Sequence, residues 1–180
     1  EPFWRNYIGD KFVYPETIKS HDFSKRIYEK YTIFRGLIAD NKVYLAKNNN
    51  HLLRAKSIHQ YDELHGNKVF TFIPFRNPYN QAKSLLNQHL LLVDLQKKDE
   101  FTLDYMDFLL HHEFGLNHKI SIFKNSNLNE LKKSDMNNVE YWLEIWYLFY
   151  ESVYLEFSKM NNMYFFCYEL FLKNPNYSLK

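Results

Sequence analysis

The chain has 180 residues, enough for one domain with a sizeable core. Hydrophobic residues make up 46% and aromatics 19%, with 15 Tyr and 16 Phe, a composition that excludes intrinsic disorder. The formal charge of +2, from 23 Lys+Arg against 21 Asp+Glu, gives no support to broad nucleic-acid binding. The one cysteine excludes an internal disulfide and a multi-cysteine zinc site.

In chain order, Phe23 to Ile38 reads as a helix opened by Asp22. The short apolar stretch Val43-Tyr44-Leu45-Ala46 reads as a buried strand, and His51 to Leu64 as a helix with Leu52, Leu53, Ala55 and Ile58 near one face. Val69 to Phe75 reads as a second buried strand. Pro78 to Leu92 follows as a helix, with Asn77 placed to cap it and proline at its favoured first position. Glu100 to Phe114 and Val139 to Met160 read as two further helices, and Tyr164 to Tyr168 as a third strand. Cys167, inside that apolar run, reads as a small buried hydrophobe. Strands alternating with helices predict an α/β fold with a parallel sheet flanked by helices, here in one domain over residues 1–180. No apolar run reaches the length of a membrane span and no signal peptide is visible, so the expectation is a cytoplasmic protein.

The strongest constellation is Arg76 with Ser84. Arg76 falls at the carboxyl end of the second strand, where open α/β sheets bind ligands, and Ser84 lies about two turns into the next helix. A guanidinium and a hydroxyl converging beside a helix N-terminus suit a phosphate. The spacing alone leaves a second reading open, in which Arg76 pairs with a surface carboxylate and Ser84 fills a helix–sheet contact.

Other clusters read more plainly. His111, His112 and His118 miss the spacing of a zinc-protease helix, so surface or capping roles are expected. Trp142, Trp146 and Tyr150 fall at helical spacing and read as core, while Lys132-Lys133 reads as a solvated face.

Pro74-Phe75-Arg76-Asn77-Pro78, with Gln81-Ala82, Ser84-Leu85-Leu86 and Gln88-His89, resembles the 3′-phosphate-binding segment of sulfotransferases. These enzymes use 3′-phosphoadenosine 5′-phosphosulfate (PAPS), and their pattern sets a serine eight positions after the arginine. Further pieces resemble the family in order: Tyr44 to Leu52, Tyr105-Met106 through Leu116, the Trp142/Trp146/Tyr150 stripe, and Phe165 to Leu170. The resemblance implies a P-loop nucleotide-binding type of fold, with Arg76 and Ser84 on the 3′-phosphate and Tyr168 against the adenine. It implies that Lys47 supplies positive charge near the sulfuryl group. The general base is Glu1, in a segment resembling that of tyrosylprotein sulfotransferases, or His51, which stands four residues after Lys47 where cytosolic sulfotransferases use two.

The implied activity is transfer of a sulfuryl group from PAPS to a hydroxyl or amine of a small-molecule, carbohydrate or peptide acceptor. The co-product is adenosine 3′,5′-bisphosphate and no metal is needed. The family's phosphosulfate loop would precede Glu1 and its Lys/Arg-Gly segment would follow Lys180, so the expectation is a partial domain. A P-loop kinase and a non-catalytic nucleotide-binding module are the alternatives.

Overall fold

A computed structural model describes residues 3, 24–40, 42–47, 51–52, 54–109, 111–119, 131 and 135–178. The chain divides between residues 69 and 70 into two compact units.

In the first unit, helix α1 spans Lys25–Ala39 and α2 spans Ala55–Leu64. Asp40, in the left-handed region at φ 49°, ends α1 and returns its N–H to the Gly36 carbonyl. Tyr28, Tyr31 and Ile58 form the core of this unit, with Phe34, Tyr44, Tyr61 and Val69 packed around them. Arg35 and Asp62 tie the two helices together inside that core. The stretch expected as a strand at Val43–Ala46 has no regular structure. Val43 and Leu45 are 90% and 92% exposed while Tyr44 packs on the core, and among the described residues no strand lies beside the stretch to pair with it.

Among the described residues, the second unit holds a two-stranded parallel sheet and five helices. Strand β1 (Thr71–Phe75) pairs with β2 (Met163–Cys167) in the register Thr71↔Met163 through Phe75↔Cys167. Between them run α3 (Pro78–Lys98), α4 (Glu100–Phe108) and α5 (Val139–Phe157), the long crossover that parallel strands require. Two short helices, α6 (Tyr168–Lys173) and α7 (Pro175–Ser178), follow β2. The architecture is therefore mixed α/β, mostly helical, with a small parallel sheet. Pro74 has no N–H to give the ladder, a loss tolerated on an edge strand.

The core of this unit lies between α3 and α5. Ala82, Leu131, Tyr141, Trp142 and Leu148 are buried together, with Leu85, Leu86, Phe114 and Phe149 against them. The alternation of β1 sends Ile73 into the interior and leaves Phe72 half-exposed beside Tyr164, their rings stacked at 5.5 Å. Helix α3 runs well past the expected Leu92, ending at Asp99, which also caps α4 by accepting from the Phe101 N–H. Helix α4 stops at Phe108, short of the expected Phe114. From His111 to Lys119 the backbone turns on Gly115 and is held against α3 by side chains of that helix.

Candidate anion and ring site at the strand ends

β1 and β2 lie side by side and point the same way, so the residues that follow them emerge together. Arg76 follows β1 and Tyr168 follows β2. The Arg76 guanidinium lies over the Tyr168 ring, with Cζ 5.4 Å from the centroid. Arg76 is exposed, and among the described residues its guanidinium makes no ion pair.

Asn77 turns the chain into α3, as its position before Pro78 predicts. Its Oδ1 accepts the Asn80 N–H at 3.1 Å, and proline fills the first turn of the helix. Its backbone N–H donates to Glu169 Oε1 at 2.9 Å, bridging the two strand ends. The Cys167 thiol stands 3.4 Å from Glu169 Oε2. The Asn77 N–H, the Glu169 backbone N–H, the thiol and the nearby Arg76 charge together hold the Glu169 carboxyl below its usual range. Cys167 is half-exposed rather than fully buried, because β2 ends there and its side chain turns to the carboxylate.

Helix α5 supports this corner from behind. The Tyr150 hydroxyl donates to the Pro74 carbonyl at 2.8 Å, and Trp146 Nε1 donates to Gln81 Oε1 on α3 at 3.0 Å. The Trp146 and Tyr150 rings meet at 4.7 Å. Burial raises the Tyr150 pKa, while the Gln81 side chain and the Arg76 charge work the other way. Of the Trp142/Trp146/Tyr150 stripe, only Trp142 is core. Trp146 bonds to Gln81 on α3, and Tyr150 reaches β1 and holds the carbonyl of Pro74, its next-to-last residue.

The expected site residues divide between the units. Arg76 and Tyr168 are brought together in the second unit. Ser84 is in the same unit, the seventh residue of α3, and is exposed rather than packed between helix and sheet. Lys47 and His51 belong to the first unit. Lys47 is exposed, and the His51 ring meets Tyr31 edge-on at 6.3 Å. Glu1 lies outside the described residues, as do Lys132 and Lys133.

Sequence reasoning assigned no site role to Glu169, Gln81 or Tyr150, and read Tyr150 as core. Glu169 carried a signal, since the Tyr-Glu step after an apolar strand places both side chains at the strand tip. Gln81 carried only its place in the segment after Arg76, and Tyr150 its place in the helical stripe.

The histidines depart from expectation. His111 is exposed, as read, but His112 is buried, with Nδ1 3.3 Å from the Asn117 carbonyl and 3.5 Å from Asp107 Oδ1. His118 is also largely enclosed, its Nε2 2.8 Å from the Tyr141 hydroxyl. Burial drives its pKa down to about 4. Among the described residues no cluster of three or more His, Cys, Asp or Glu side chains could hold a metal ion. No described helix is long and apolar enough to cross a membrane.

An exposed guanidinium with no ion pair among the described residues, a flat aromatic ring and a capped helix start can together receive an anion attached to a planar group. No protein family, curated protein or solved structure matches the chain.

Proposed function

We propose that the chain is a PAPS-dependent sulfotransferase domain of the P-loop nucleotide-binding type, and that its second unit carries the 3′-phosphate and adenine end of the cofactor. The observation that supports this most is the pairing of Arg76 with Tyr168 at the carboxyl ends of two adjacent parallel strands. Ligand sites of open α/β sheets lie at that edge. In this reading Arg76 donates to the 3′-phosphate, Ser84 adds a hydroxyl, and the Tyr168 ring packs on the adenine.

The reaction is an in-line displacement at sulfur. An acceptor oxygen or nitrogen forms the new bond to sulfur as the bond from sulfur to the 5′-phosphate oxygen breaks, leaving adenosine 3′,5′-bisphosphate. A base takes the acceptor proton, a role given to Glu1 or His51, and Lys47 offsets charge on the transferring group. Small molecules, carbohydrates and peptides are the acceptor classes, and a cytoplasmic location goes with this reading.

Calorimetric titration with adenosine 3′,5′-bisphosphate and with adenosine 5′-monophosphate tests the assignment. Arg76→Ala is expected to weaken the bisphosphate at least tenfold, about 1.4 kcal/mol or more, and to leave the monophosphate nearly unchanged. Equal losses for both nucleotides would overturn the 3′-phosphate role. Bisphosphate binding without transfer to any acceptor in a broad panel would instead favour a non-catalytic module.

A further inference from the structure

Among the described residues Glu169 is the carboxylate that accepts from the backbone at the start of α3, and it lies in the field of Arg76 without forming an ion pair with it. Its two oxygens are committed elsewhere. Oε1 takes the Asn77 N–H at 2.9 Å and Oε2 faces the Cys167 thiol at 3.4 Å. These two donors hold the carboxylate on the backbone side of the corner and leave the Arg76 fork open over Tyr168. The same carboxylate places a negative charge beside the open fork, and it occupies the Asn77 N–H, a donor that a phosphate there could use.

We propose that Glu169 is a positioning residue that sets the anion affinity of the Arg76 corner. It bridges the ends of β1 and β2 through Asn77, and its charge acts as a resident competitor that a phosphate must outweigh. A dianion is repelled by Glu169 more than a monoanion is, so the carboxylate lowers the affinity of the corner for a phosphate dianion most. A neutral amide of the same shape at position 169 keeps an acceptor for the Asn77 N–H and removes the competitor. This inference rests on the nucleotide reading above.

The test is titration of the wild-type chain, Glu169→Gln, Arg76→Ala and the double variant with adenosine 3′,5′-bisphosphate and adenosine 5′-monophosphate. Thermal melting confirms that each is folded. Glu169→Gln is expected to bind the bisphosphate about fivefold more tightly, the size of one exposed charge acting on a dianion a few ångströms away. The monophosphate should be unaffected. The gain should shrink toward nothing near 1 M salt, where the screening length falls to about 3 Å. It should also vanish when Arg76 is alanine. A purely structural role for Glu169 would give a loss of affinity for both nucleotides that salt does not remove.

If the wild type binds the bisphosphate through Arg76 but Glu169→Gln binds it equally or more weakly, the inference about Glu169 is overturned and the nucleotide reading stands. If the wild type does not bind the bisphosphate, or binds it with no loss in Arg76→Ala, both are overturned.

Discussion

Arg35 and Asp62 form a two-pronged ion pair inside the first unit, Nη1 to Oδ2 and Nη2 to Oδ1, each at 2.8 Å. Asp62 is 1% exposed, and its Oδ1 also accepts from the Tyr28 hydroxyl at 2.8 Å and from Asn67 Nδ2 at 3.3 Å. Arg35 lies over the Tyr31 ring at 4.9 Å. Four donors on one carboxylate satisfy its charge, so the pair is tolerated where a lone carboxylate would not be. Removing one partner strands the other. Asp62→Asn is expected to destabilise the chain by about 3 kcal/mol, measured by urea unfolding, because the partly buried guanidinium loses its counter-charge. Arg35→Met with Asp62→Leu should recover part of that loss. A single substitution that leaves the urea midpoint unchanged would show that the pair contributes little.

Gly115 stands at φ +87° against α3, where a Cβ would lie 2.2 Å from Gln96 Oε1. That same oxygen accepts the Leu116 N–H at 2.7 Å. Gly115→Ala therefore meets backbone strain and displaces the acceptor that docks the loop, an expected loss of about 3 kcal/mol. Gly66 shares a positive φ, +71°, but has nothing within 4 Å of the added carbon. Gly66→Ala should cost only the strain, about 1 kcal/mol. Matching losses in the two urea curves would mean that the Gln96 contact adds nothing.

Local chemistry explains what could be read ahead of the structure. Asn77 and Pro78 start α3 because a side-chain oxygen and a fixed φ act within four residues, and such signals survive any tertiary context. The strands at Val69 and Tyr164 were legible from apolar runs that a buried sheet requires. The stretch Val43–Ala46 shows the same pattern and forms no strand, because pairing depends on a distant partner that periodicity cannot report. At the site, Arg76 and Tyr168 were each visible near a strand end. That the strands are adjacent and parallel is a non-local fact, and so are the Glu169 bridge and the Tyr150 bond to Pro74. The enclosure of His112 and His118 was hidden for the same reason. Only the loop folding back on α3 buries them.

That loop makes the second unit sensitive to acid. The Gly115 N–H donates to His89 Nδ1 at 3.2 Å, which requires that nitrogen to be unprotonated. The His118 ring stands 5.7 Å from His89 and 5.1 Å from Trp142, and burial lowers the pKa of both histidines, that of His118 from 6.5 to about 4. A lowered folded pKa means that the unfolded chain binds more protons between the two values. Stability is thus complete above about pH 6.5 and falls as the pH drops toward 4, by up to about 3 kcal/mol from His118. His118→Gln, which keeps a hydrogen-bonding group facing Tyr141, should flatten the slope of stability against pH in this window. An unchanged slope would remove His118 from the account.

Ser84 separates binding from stability at the proposed site. It sits on α3 with an exposed side chain, so alanine there removes no buried contact and is a better helix former. Ser84→Ala is therefore expected to leave the urea midpoint within about 0.5 kcal/mol of wild type. If its hydroxyl donates to the 3′-phosphate, the same variant should bind adenosine 3′,5′-bisphosphate about tenfold more weakly, as a lost hydrogen bond to a charged group predicts. Adenosine 5′-monophosphate should bind as before. Paired with Arg76→Ala, the two losses should be less than additive, since both act on one phosphate. Unchanged bisphosphate affinity in Ser84→Ala would take the serine out of the site and leave Arg76 and the Asn77 corner as the only protein groups proposed for that phosphate.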